Sequence, residues 1–173
     1  MIADPERRGR ALAAFFLALE PRLFADLAES GLLAPADREP GSDFAAAELT
    51  RREWQCFALY ACVRGLVAAG GFNRETARAI DALHDVVLES WRGESEAFEP
   101  HEERRARVAD RYAEYGAIGQ EGGASGAATV TARLGDAAAR HLVATIPPGL
   151  PSLVGGLHEA LAEGAAEAVR RSE

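Results

Sequence analysis

The chain has 173 residues, of which 37 are alanine, 27 are acidic and 19 are arginine, with no lysine and a formal net charge of −8. That length suits one compact domain with its own core. The acidic balance excludes a general nucleic-acid binder, because counterion release needs a cationic surface facing phosphates. Lysine is missing everywhere, so the arginines reflect a compositional bias of the whole chain and carry no separate argument for bidentate recognition.

Asp4 followed by Pro5 reads as a helix cap and a first-turn proline. The first helix then turns Leu12, Phe15, Phe16 and Leu19 inward until Pro21 breaks or kinks it. Arg7-Arg8-Gly9-Arg10 before an apolar run imitates a secretory leader. Asp4 and Glu6 spoil the basic start, and Glu20-Pro21-Arg22 closes the run without a cleavage site, so a cytoplasmic location is expected. A second short helix over Arg22 to Ser30 ends at Gly31. The Pro- and Gly-containing loop from Leu32 to Asp43 makes residues 1–31 a candidate two-helix arm.

Thr50-Arg51-Arg52-Glu53 has the spacing of a capping box and predicts entry to a helix through Ala69, with an added turn or more from Phe44. This segment is apolar nearly all round, which places it at the centre of the fold. Arg64 interrupts it, so it does not reach the length of uncharged residues needed to span a membrane. Cys56 and Cys62 lie six apart on it, a spacing no disulfide bridges, and read as buried free thiols.

Gly70-Gly71 stops that helix and Asn73 caps the next, which runs from Arg74 to Arg92. A fifth helix begins between Ser95 and His101 and continues to Tyr115. Its run from Glu102 to Glu114 mixes both signs of charge and reads as a solvated face laced by i,i+4 pairs. Tyr112 and Tyr115 anchor its inner side. Gly116 to Gly126 reads as a glycine-rich internal linker, which lacks the lysine and preceding strand of a phosphate-binding loop. An alanine-rich helix from Ala127 to Thr145, a Pro-rich connector and a last helix from Ser152 or Leu153 to about Arg170 complete the chain. His158 and Glu159 read as surface polarity at the edge of that last helix. The expected fold is a single all-α domain: an irregular bundle of six to seven helices around the apolar segment 51–69.

Chemistry concentrates in three histidines on apolar faces. His84 shares a stripe with Ala77, Ile80, Val87, Leu88 and Trp91, and Asp81 flanks it one turn earlier. His101 shares one with Phe98, Arg105, Val108 and Tyr112, and His141 with Val130, Leu134, Ala137 and Ala144. A buried imidazole needs a hydrogen bond, a carboxylate or a metal. Convergence of Asp81, His84, His101 and His141 would give a nitrogen-rich set suited to a divalent transition metal. No complete catalytic constellation is legible. Smooth alanine-rich helices favour a non-catalytic, self-associating interaction or regulatory module with itself or another protein as partner; the alternative is a ligand-sensing domain with a His/Asp-lined cavity for a small molecule or metal.

Overall fold

The computed structural model describes residues 4–33, 43–94, 98–121 and 126–171. Six helices carry it: α1 (Pro5–Glu29), α2 (Asp43–Gly70), α3 (Arg74–Arg92), α4 (His101–Glu121), α5 (Ala127–Leu142) and α6 (Leu150–Arg171). The chain is an all-α helical bundle, and no helix among the described residues is long and apolar enough to cross a membrane.

Two of the expected helix starts form as the sequence suggests. The Asp4 carboxylate accepts the Glu6 amide at 3.0 Å, and the Asn73 side chain accepts the Thr76 amide at 2.8 Å, each satisfying a donor the first turn leaves free. The expected break at Pro21 does not occur, and the two predicted N-terminal helices are one helix of 25 residues. Pro21 is exposed, so the carbonyl that loses its partner lies towards solvent, where water can satisfy it.

α2 begins at Asp43, one residue before the added turn expected from Phe44, so the Thr50–Glu53 capping box lies inside the helix and caps nothing. Thr50 donates its hydroxyl to the Leu142 carbonyl of α5 at 2.8 Å, and Glu53 turns to arginines of α4. Both side chains therefore join helices rather than start one. The predicted linker also shrinks, because α4 runs on through Gly116 and Gly119 to Glu121, where a side chain on either glycine would come within 4 Å of the Tyr60 hydroxyl. Gly122 to Ser125 lie outside the described residues.

α1 and α3 lie side by side in the same direction, Phe16 meeting Trp91 edge-on at 6.0 Å between ring centroids. α2 and α6 form a second parallel pair, and α5 packs antiparallel to α6. α2 touches every other helix. Leu12, Phe16, Leu27, Trp54, Phe57, Leu59, Leu83, Trp91, Leu134 and Leu161 share one core, so α1 contributes to the same interior as the rest. Cys56 and Cys62 are both free and buried, and burial pushes the Cys56 thiol up to about 12.

Candidate functional site

α4 is fastened to its neighbours largely by polar side chains. Glu53 of α2, only 3 % exposed, accepts Arg107 Nη1 at 2.7 Å and both Arg111 Nε at 2.7 Å and Nη2 at 2.9 Å. Burial alone would raise its pKa, but the two guanidiniums more than reverse this and hold it below the usual carboxylate range. Glu99, just before α4, accepts Arg107 Nε at 2.7 Å and Arg52 Nη1 at 3.3 Å. Such pairs act mainly as a register device, because the desolvation of each charge offsets much of the attraction. The solvated face expected for residues 102–114 is thus divided: Arg104 is buried and Arg107 and Arg111 are mostly covered, while Glu102, Glu103 and Arg105 face water.

The inward stripe of α4 includes Val108 and Tyr112 as expected, but Arg104 takes the place of Arg105. The helix starts only at His101, and Phe98 precedes it with its ring under the Arg52 guanidinium, 5.1 Å from centroid to carbon.

The four expected metal ligands do not gather into one centre. His84 Nε2 and the Tyr112 hydroxyl are 2.8 Å apart, while His141 Nε2 and Glu114 Oε2 are 2.6 Å apart. Tyr112 and Glu114 are two residues apart on α4, about 200° around the helix, so the two imidazoles clasp opposite flanks of α4. Burial lowers the His84 pKa against the pull of Asp81 and Asp85. Asp81 itself lines a groove of about 360 Å³ between α1 and α3 with Glu6, Arg10, Arg78, Ala82, Asp85 and Val86. His101 lies a full three turns from Tyr112, beside Trp91, Arg92, Glu99 and Arg104, and its Nδ1 is buried without a partner. Among the described residues no group of three or more His, Cys, Asp or Glu side chains is arranged to hold a metal ion.

His158 was legible only as surface polarity and is in fact fully buried. It stacks on Phe57 at 4.2 Å, and its Nδ1–H donates to the Phe57 carbonyl at 3.0 Å. Burial, with the nearby Arg64, drives its pKa down to about 3 despite that hydrogen bond, so the ring is neutral near pH 7. The signal was present: Val154, His158, Leu161, Ala162 and Ala165 recur at three- and four-residue spacing, and all five are buried.

A second feature that sequence reasoning missed is a cleft of about 200 Å³ where the first half of α2 meets α4. Glu48, Arg51, Arg52, Gln55, Glu94 and Arg104 line it. Arg52, Gln55 and Arg104 are each 5 % exposed or less, yet they front open space. Arg104 hydrogen-bonds to Gln55 Oε1 and, at 3.4 Å, to the Trp91 carbonyl, and its guanidinium carbon sits 4.4 Å from the Trp91 ring centroid. Arg52 Nε is buried and has no hydrogen-bond partner among the described residues. Behind Arg51 the buried Glu20 of α1 pairs with it through both oxygens, at 2.9 and 3.0 Å. The larger α1–α3 groove differs in kind. Its Glu6 and Arg78 pair with each other at 3.2 Å on an open surface.

No protein-family model matches the chain, and neither the curated proteins nor the solved structures contain a significant match to it. The geometry of the α2–α4 cleft is therefore what a functional reading has to rest on.

Proposed function

We propose that this chain is a non-catalytic regulatory module that binds a small ligand in the cleft between α2 and α4. One observation carries the reading: three polar side chains that are almost wholly withdrawn from water line a hollow they do not fill. Holding such groups in a folded core is costly unless their hydrogen-bonding capacity is used. Arg52, Gln55 and Arg104 bind charge and hydrogen bonds without exchanging protons near neutral pH, which suits recognition better than acid–base chemistry. At about 200 Å³ the hollow falls below the roughly 300 Å³ at which pockets for drug-sized molecules begin, so the ligand has few heavy atoms.

The reading is tested by thermal shift against a panel of small anions, cations and neutral polar metabolites. At least one compound should raise Tm saturably in the wild-type chain and fail to do so in Glu48→Trp, where an indole at the half-buried mouth plugs the cleft. A panel with no response, or a response that the plug leaves intact, overturns it.

A second reading, association with another copy of the chain, is favoured by a different observation. Leu49, Phe98 and Ile146 are three of the four exposed large hydrophobic side chains among the described residues. All three neighbour the first turns of α2: Leu49 lies on it, Thr50 bonds Leu142 of α5 four residues before Ile146, and the Arg52 guanidinium lies over Phe98. Light scattering over a hundredfold range of concentration should show a dimer that Leu49→Glu disperses, and a strict monomer throughout rejects this reading.

A further inference from the structure

We propose that the ligand of the α2–α4 cleft is a small oxyanion, a phosphate or carboxylate group seated against Arg52 and Arg104; this rests on the cleft being a ligand site. Arg104 is the strongest indication. It is 5 % exposed, and among the described residues no carboxylate lies within 4.0 Å of its nitrogens, for its partners are the Gln55 amide oxygen, the Trp91 carbonyl and the Trp91 ring. Arg107 and Arg111, on the same helix, each hold a carboxylate at 2.7 Å. A buried cation with neutral hydrogen-bond partners, its carboxylates Glu99 and Glu94 acting only at longer range and a second guanidinium beside it, departs from the rule that buried charge is closely paired.

Arg52 supplies a second, independent indication. Its Nη atoms reach Glu99 at 3.3 Å and Glu48 at 3.7 Å, but its Nε–H, equally buried, has no acceptor among the described residues. The donor fork of a guanidinium matches oxygen pairs of the kind that phosphate and carboxylate present. The cleft is lined by three arginines and two glutamates, with Glu99 paired to Arg52 and Glu20 paired to Arg51 beside it. Protonation of Glu20 removes one of those negative charges, and burial, against Arg51 and with Glu94 nearby, raises the Glu20 pKa to about 7.

Isothermal titration calorimetry of the full chain at pH 7 and low salt separates the alternatives, using inorganic phosphate, succinate, the neutral succinamide and the cationic 1,4-diaminobutane. Phosphate or succinate should bind saturably while the neutral and cationic probes do not, and the tighter of the two identifies the source of the oxyanion. Arg104→Gln should weaken that binding by about tenfold or more, the factor expected when one charge-assisted contact is lost. Because that variant removes a buried group that holds α4, Glu48→Gln gives a second test on a partly exposed side chain. Deleting this competing negative charge should tighten anion binding several-fold.

Saturable binding of succinamide or diaminobutane in place of the anions, lost in Glu48→Trp, leaves the cleft a ligand site and overturns the oxyanion. Silence from all four probes overturns the oxyanion while the wider metabolite panel still decides the cleft. Anion binding that neither Arg104→Gln nor Glu48→Gln alters lies elsewhere on the surface and overturns it as well.

Discussion

Replacing Gly65 with leucine should lower the stability of the chain by ~3 kcal/mol or more, read as a fall in the urea midpoint with little change in slope. A side chain starting at Gly65 would place its first carbon 2.6 Å from the Ala162 carbonyl oxygen, 2.6 Å from the Ala165 Cβ and 3.0 Å from the Ala166 amide nitrogen. Two of these are backbone atoms of α6, so no rotamer change relieves the clash and the helix must move away. Two contacts just before the crossing hold it in place. His158 hydrogen-bonds to and stacks on Phe57, and Glu159 accepts Arg64 at 3.1 Å. Backing away would weaken these contacts and open the interior around Leu161 and Ala165. Gly156, on α6 but with nothing within 4 Å of an added Cβ, provides the matched control: Gly156→Ala should stabilise by ~0.5–1 kcal/mol through helix propensity alone. Equal, small effects at the two positions would mean that α2 and α6 do not approach closely at this point.

How far the sequence anticipates this architecture depends on which residues set each element. Helix existence and type follow from local rules, and the Asp4 and Asn73 caps fall where residue chemistry puts them. Thr50 and Glu53 obey the same local rule and yet are claimed by α5 and α4. A capping box states only that two side chains are able to start a helix, and tertiary partners up to 92 residues away offered them better use. The histidines show a related limit. Periodicity turns His84 and His141 inward, whereas the structure leaves both half-buried at the edge of the inner face, and periodicity carries no information on which side of α4 each meets; a pair at Tyr112 and a pair at Glu114 face apart because of two residues on a third helix. The cleft was hidden for a third reason. Arg104, Arg107 and Arg111 recur at the spacing of Val108 and Tyr115, the apolar inner stripe, and a run rich in both charges reads as solvated unless that coincidence is noticed. Mixed-charge stripes in register with apolar ones are the sequence signal of a buried ionic seam.

The pH dependence of stability should be nearly flat between about pH 4.5 and 6.5 as far as two buried groups decide it, and each of two substitutions should tilt it in opposite directions. Burial raises the Glu20 pKa from 4.5 to about 7, outweighing Arg51. Across that interval the unfolded chain gives up this proton first, so the contribution of Glu20 is full below pH 4.5 and is lost as pH rises through about 7. Burial lowers the His158 pKa from 6.5 to about 3. Here the unfolded chain takes up the proton first, so the contribution is full above pH 6.5 and is lost as pH falls towards 3. Each slope is ~1.4 kcal/mol per pH unit, and where the two windows overlap they cancel. Glu20→Gln should therefore uncover the histidine, with stability falling by ~2–3 kcal/mol from pH 6.5 to 4.5. His158→Phe, which keeps the ring stacked on Phe57, should uncover the glutamate, with stability rising by a similar amount over the same change. The double variant should lose both of these slopes and keep only the fall towards acid pH that the lowered His84 pKa contributes, offset by a constant for the lost hydrogen bonds. Parallel profiles for the wild-type chain and both single variants, measured by urea unfolding at half-unit steps, would show that neither group holds its proton state through folding. The opposed profiles instead follow from where the chain puts these two groups: a carboxyl that α1 buries behind the cleft, and an imidazole that α6 buries against the middle of α2.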